Sequence, residues 1–270
     1  MNNKKIKVAM VTNHFGITGI GTVIMNYCKA LDKEKYDLTI LAGQPISEKY
    51  EKECLENDIH LVTLPSRHGN PKDHYIALWK ALRAGHYDIV HDHGSSSMMA
   101  IELTIAKLAG VKSRIAHSHN SNCPNMKVHK LLNPYFRTVY TKALACGQLA
   151  GNWLFGENNF EVLPNGFHTD DFTFSKKERD AVRNKLGVEN QLLIGHIGRI
   201  NEQKNQVSRS TNCMECIFLA IFLYTPTVTL LAESKSPTIT SGTIPILLQV
   251  SIPLSTAITL LLSRCLSMIP

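Results

Sequence analysis

The stretch that most constrains the fold is residues 5–31, where a short apolar run passes through a glycine-studded turn into apolar residues at helical spacing. Val8, Ala9, Met10 and Val11 read as a strand buried on both faces, and Val23, Ile24, Tyr27 and Leu31 fall on one helical stripe. Gly16, Gly19 and Gly21 lie between them. Glycines in a strand-to-helix turn allow positive φ and close approach of a ligand, and the helix start then offers unpaired N–H groups to an anion. The reading is an anion-binding βα unit. Its plainer alternative is a tight turn and nothing more.

Phosphate loops of two other kinds fit poorly. The chain has no GxxxxGK[ST] pattern, which excludes the nucleoside-triphosphatase loop. Gly19-Ile20-Gly21 starts a dinucleotide fingerprint, but Ile24 stands where its third glycine or alanine belongs. The next strand runs into Ala42-Gly43 with no acid to hold a ribose hydroxyl, so a nicotinamide-dependent oxidoreductase is a disfavoured alternative and no cofactor is expected.

The rest of the chain to residue 165 alternates strands with helices. Strands are expected at 37–41, 60–64, 87–93, 113–117, 143–146 and 161–164, with helices at 48–57, 71–85, 95–110 and up to Phe155. Such alternation over short connections predicts an α/β fold with a Rossmann-like parallel sheet. Ligands of these sheets lie beyond the carboxyl ends of the strands, where residues 13–21, 91–97, 117–122, Gly147 and Asn165-Gly166 collect. A basic helix at 176–186 and a strand at 191–197 follow, leading to Gly198-Arg199 and Gln203-Lys204-Asn205. Arg199 and Lys204, five apart after a strand-end glycine, suit a diphosphate.

Two His-x-His patterns, His91-Asp92-His93 and His117-Ser118-His119, each place two imidazoles on one face of an extended chain. A metal site is one reading. The absence of a carboxylate cluster favours the other: His91 satisfied within the structure, His117 placed to contact substrate hydroxyls, and no metal expected. The lone Cys213-Met-Glu-Cys216 has no second pair at zinc spacing.

A formal net charge of +7 suggests anionic partners, namely sugar nucleotides or lipid surfaces. The basic residues are scattered without interleaved aromatics, so nucleic acid is not expected. Seven cysteines and a start that runs straight into the first strand suggest a cytoplasmic chain.

Taken together, six separated motifs resemble the retaining glycosyltransferases of family 4, which have the two-domain GT-B fold, and most closely those of capsular and exopolysaccharide synthesis. They are Gly19-Ile-Gly21 before Ile24-Met-Asn-Tyr27; Asp88-Ile-Val-His-Asp-His93; Arg114-Ile-Ala-His-Ser-His-Asn120; Ala145-Cys-Gly147 with Gly151-Asn-Trp-Leu-Phe-Gly156; Leu163-Pro-Asn-Gly166; and Gly195-His-Ile-Gly-Arg199 with Gln203-Lys-Asn205. The resemblance spans residues 4–205. It implies an acceptor-side domain over 1–165, the start of a nucleotide-sugar domain over 166–205, a nucleotide-sugar donor (a UDP-sugar above all), and a saccharide or lipid-linked saccharide acceptor. It also implies that His117 bonds the transferred sugar and that Gly19, Gly21, Arg199 and Lys204 hold the donor diphosphate. His91, His93, His119, Asn120 and Asn165 would contact acceptor or sugar. Fixed cations and helix N-termini stabilise a departing diphosphate without a metal.

After Asn205 the resemblance stops. Residues 206–270 hold only two glutamates, Glu215 and Glu233, so the family's glutamate pair eight positions apart is missing. This Ser/Thr/Pro-rich apolar tail is read as not the evolved partner of the first 205 residues, as after a frame shift or truncation, and as impairing activity. Competing readings of the tail are a membrane hairpin from 216–232 and 244–262 and a compact domain of its own; for the whole chain the alternatives are peripheral membrane contact and a non-catalytic acceptor-binding or inert fragment. The helix and strand within 176–205 are expected to have no sheet to join.

Overall fold

The computed structural model describes residues 4–167, 169–188, 193–198, 217–224, 227–233 and 252–253. The chain divides into two compact units, Met1–Phe167 and His168–Pro270.

The first unit is a seven-stranded parallel sheet, β1 (Ile6–Thr12), β2 (Tyr36–Gly43), β3 (His60–Leu64), β4 (Ile89–Gly94), β5 (Ser113–Ser118), β6 (Lys142–Ala145) and β7 (Glu161–Val162). Its order is β3-β2-β1-β4-β5-β6-β7. The chain winds outward from β1 to β3 and then returns to place β4 against the other side of β1. The crevice at the carboxyl ends of β1 and β4 is therefore the switch point, where open α/β sheets bind ligands.

The helices are α1 (Gly19–Ala30), α2 (Glu48–Glu56), α3 (Pro71–Gly85), α4 (Met99–Leu108), α5 (Met126–Phe136) and α6 (Gln148–Phe155). Two apolar layers cover the sheet. Val8 and Met10 of β1 pack with Ile24, Met25 and Cys28 of α1 and Tyr50 and Cys54 of α2. Ala9 and Val11, on the opposite face, pack with Leu78 and Leu82 of α3, Leu103 of α4 and Phe155 of α6. This explains why β1 reads as a continuous apolar run: both of its faces are buried.

Local chemistry sets the ends. Asn70 caps α3 by accepting from the Asp73 N–H at 3.1 Å, with Pro71 opening the helix. Gly85 is the last residue of α3, and the left-handed residue that follows it is His86 (φ 51°). Helix α5 was not foreseen. Pro134 lies inside it, and Leu131 and Tyr135 face solvent, so the stripe that normally reveals a helix is broken.

In the second unit, a 3-10 turn (Thr169–Phe172) precedes α7 (Lys176–Leu186), capped by Ser175 and closed by Gly187 at φ 66°. A second sheet, ordered β11-β10-β9-β8, contains β8 (Leu193–Gly198), β9 (Ile217–Tyr224), β10 (Thr227–Glu233) and β11 (Ile252–Pro253). Strand β8 pairs in parallel with β9, from Leu193 opposite Ile217 to Gly198 opposite Phe222. The expectation that this strand lacks a sheet is thereby corrected. The apolar run IFLAIFLY, rich in β-branched and aromatic residues, makes a strand in place of the first arm of a membrane hairpin. Among the described residues no helix is long and apolar enough to cross a membrane.

Candidate functional site

The site is built from the loops at the switch point. Helix α1 starts at Gly19, four residues before Val23, the first residue of its apolar stripe, and is capped by Thr18, whose Oγ1 accepts from the Gly21 N–H at 3.2 Å. Gly19 and Gly21 therefore occupy the first helical turn. Neither has the positive φ expected of a glycine turn; among the described glycines only Gly110, Gly156 and Gly187 do. Space is the reason for Gly21: an added Cβ would lie 2.5 Å from the Gly16 carbonyl oxygen and 2.9 Å from the Tyr50 ring. Gly19 is exposed, and a Cβ there would meet nothing within 4 Å. The two glycines thus have different tasks, Gly21 allowing α1 to seat against α2 and Gly19 leaving the helix start bare. The first turn of that helix carries no acidic residue, and its backbone N–H groups other than the capped Gly21 have no intrahelical acceptor.

Beside it, β4 and β5 bring four histidines together. They run parallel with His93 opposite His117, so alternation places His91, His93, His117 and His119 on one face, the α1 side of the sheet. His91 stacks on His93 with centroids 4.1 Å apart, and His117 on His119 at 4.2 Å. Across the strands, His91 Nε2 and His117 Nδ1 share a hydrogen bond of 3.1 Å, and His93 Nδ1 and His119 Nε2 one of 2.9 Å. Tyr27 of α1 lies over the block, its ring stacked 6.1 Å from that of His117.

Burial keeps all four imidazoles neutral, and their neighbours in the block, except in the case of His119, add to the shift. His91 is lowered to about 3, His117 to about 2 and His119 to about 4, and His93 falls well below its usual range. His117 is completely buried, and its Nε2, like that of His93, has no hydrogen-bond partner among the described residues. The structure therefore gathers His91, His93, His117 and His119 into one cluster, with His117 beneath a covering of Tyr27 and His119.

Asn120 follows directly, half-buried, its Oδ1 accepting from the Ser121 N–H at 2.9 Å. Asn165 is exposed, and α1 holds the carbonyls on either side of it: Asn26 Nδ2 donates to Gly166 O at 2.8 Å, and the Tyr27 hydroxyl donates to Pro164 O at 3.1 Å. Arg199 and Lys204 lie outside the described residues, as do Cys213 and Cys216.

Sequence reading missed two features. One is Tyr27, the bridge between the imidazoles and the 163–166 segment. The other sits on the opposite face of β4. Asp92 and Glu102 are both buried; Glu102 pairs with Arg67 at 3.1 Å, and the Asn13 amide, oriented to match its neighbours, links the same two groups. Burial raises both carboxyls, with Arg67 opposing. The alternation that aligns His91 with His93 also turns Asp92 away from them, so this face was legible in principle.

The doubly wound sheet, with the bare helix start and the polar cluster at its switch point, is the Rossmann-like half of a GT-B fold. The Glycosyltransferase Family 4 model matches residues 17–171, more than half of the chain, and the chain belongs to that family. Its relatives include EpsF of Bacillus subtilis (strain 168), whose name assigns it as a glycosyltransferase, 31% identical over 219 residues that make up 76% of this chain and 57% of EpsF. A second is the UDP-Gal:alpha-D-GlcNAc-diphosphoundecaprenol alpha-1,3-galactosyltransferase of Escherichia coli, 25% identical over 223 residues, 75% of this chain and 56% of that protein. Among solved structures, Anabaena HepE in complex with UDP and glucose superimposes with a TM-score of 0.61 at 15% identity, covering 80% of this chain and 60% of HepE. The chain thus spans little more than half the length of these curated relatives.

Proposed function

We propose that the chain is the acceptor-side part of a glycosyltransferase that moves a sugar from a UDP-sugar to a saccharide or lipid-linked saccharide, with retention, in polysaccharide assembly at the cytoplasmic face of a membrane. The observation that carries this reading is the family match over residues 17–171, which contains both the bare start of α1 and the imidazole cluster. The lipid-linked acceptor and the UDP donor follow the names of the Escherichia coli enzyme and of the HepE complex.

In this reading the N–H groups at Gly19 and the cations Arg199 and Lys204 take the diphosphate charge that develops as the glycosidic bond breaks. His117 meets a sugar hydroxyl through Nε2, a buried nitrogen that lacks a partner among the described residues, once Tyr27 and His119 draw aside. His91, His93, His119, Asn120 and Asn165 line the acceptor side. The +7 charge, together with exposed Met126, Leu131 and Tyr135 beside Lys127 and Lys130 on α5, supports peripheral contact with anionic lipid.

Titration calorimetry of the purified chain with UDP and UDP-sugars, paired with a hydrolysis assay, tests the reading. Saturable binding that Arg199→Ala abolishes supports it; a folded chain that ignores millimolar ligand refutes it. A second reading, acceptor binding without transfer, is favoured by one observation: residues 206–270 carry only Glu215 and Glu233 and not a pair eight apart. Binding of UDP without turnover of any UDP-sugar would select it.

A further inference from the structure

The imidazole cluster holds more nitrogen donors than a sugar hydroxyl can use. Ring nitrogens of His91, His93 and His117 all lie within 4.8 Å of one another, and the three side chains are buried. The two cross-strand hydrogen bonds occupy four ring nitrogens and leave the Nε2 atoms of His93 and His117 without partners among the described residues. A buried nitrogen left unpaired is costly, and an ion held by this cluster would give His93 Nε2 a partner.

We propose that His91, His93 and His117 form a binding site for a divalent transition ion of the zinc type, with His119 as the outer partner that orients His93. The donor chemistry selects the ion: three imidazoles and no carboxylate suit Zn²⁺, Co²⁺, Ni²⁺ or Cu²⁺ and not Mg²⁺ or Ca²⁺. Nitrogens on one tetrahedral zinc lie ~3.4 Å apart, given bonds of about 2.0–2.1 Å. The His91 Nε2 and His117 Nδ1 pair, 3.1 Å apart, is already near that spacing, and the widest pair, at most 4.8 Å, must close by about an ångström. His93 ligates through its unpartnered Nε2 while its Nδ1 keeps the hydrogen bond to His119, the arrangement in which an outer group fixes the tautomer of a ligand.

The number of protons on the rings is unchanged, each change of tautomer passing through solvent. Each neutral imidazole carries one N–H; where a ligating nitrogen held it, the proton moves to the other ring nitrogen, and the His91–His117 hydrogen bond gives way to two bonds to the ion. Because burial already keeps the rings uncharged, the ion displaces no imidazolium proton at neutral pH.

The test is titration of the full chain, stripped with chelator, with Co²⁺ under visible spectroscopy, followed by displacement with Zn²⁺. The expected result is a ligand-field band that saturates at one ion per chain, lacks thiolate charge transfer, and needs at least tenfold more Co²⁺ in His93→Asn and His117→Asn. No band at millimolar Co²⁺, a band with thiolate character, or a band unchanged in both variants overturns the proposal. Should a variant fail to fold, the wild type decides: ¹⁵N-histidine spectra with Zn²⁺ should shift the ring resonances of His91, His93 and His117. Shifts confined to exposed His60, His68 and His86 overturn it.

Discussion

At Gly19 and Gly21 one short motif conceals two physical demands. Their importance was legible in the sequence; the reason was not, because backbone φ and the neighbours of a missing Cβ are tertiary facts. Gly21→Ala places a methyl 2.5 Å from a carbonyl oxygen, which a backbone cannot cheaply yield, and is expected to cost about 1–3 kcal/mol and lower the melting temperature. Gly19→Ala has open space and sits in a helical turn, where alanine is preferred by up to ~1 kcal/mol. It is expected to leave stability unchanged or raised while weakening UDP-sugar affinity in calorimetry. Equal loss of stability in the two variants would show that both glycines are only structural. Tyr27→Phe separates another pair of roles. It keeps the ring over His117 but removes the donor to Pro164 O, so hydrogen exchange of the 163–166 amides should speed up while stability falls by no more than the ~0.5–1.5 kcal/mol of one hydrogen bond.

At the scale of elements, β4 and β5 convert a sequence pattern into a titratable block. That His91 and His93 share a face, and likewise His117 and His119, followed from the period of two; that the two pairs meet required the register that sets His93 beside His117, which no local pattern states. The consequence is a pH dependence with a definite sign. Each histidine is held below its ordinary value of 6.5 when folded, to about 4 for His119, about 3 for His91 and about 2 for His117. The unfolded chain takes up these protons as the pH falls through 6.5 and the folded chain does not, so stability present above 6.5 is lost from there down to each folded value, about 4 for His119 and lower for His91 and His117. Asp92 and Glu102, raised by burial, act in the opposite sense, stability falling as pH rises through their folded values. With four imidazoles against two carboxyls, denaturation midpoints in chelator-containing buffer should fall from pH 7 to pH 4, and less steeply for His91→Gln. A flat profile would mean that the cluster opens to water before it titrates.

For the whole molecule, the first unit was legible because its signals are local: apolar runs buried on both faces, a proline and a cap at the start of α3, and six spaced motifs. Helix α5 escaped because its stripe faces solvent, and the second sheet escaped because β8 finds its partner beyond the reach of any motif, in a run that composition alone could equally assign to lipid. The acceptor-side domain expected over residues 1–165 leads to the last prediction. All seven strands of the parallel sheet and both apolar layers lie within residues 6–162. Both tryptophans of the chain, Trp79 and Trp153, also lie there, and the second is fixed by its Nε1–H donating to Ser95 O at 3.0 Å and by stacking on His129 with centroids 4.8 Å apart. Tryptophan fluorescence of the full chain therefore reports on the first unit alone. If that unit owes its stability to its own two layers, a fragment of residues 1–167 should unfold in one cooperative step, with fluorescence and circular dichroism coincident, at the urea midpoint the full chain shows by fluorescence. A broad or lower fragment transition would show that the parallel sheet borrows stability from residues beyond 167, and the two units would then have to be treated as one folding body.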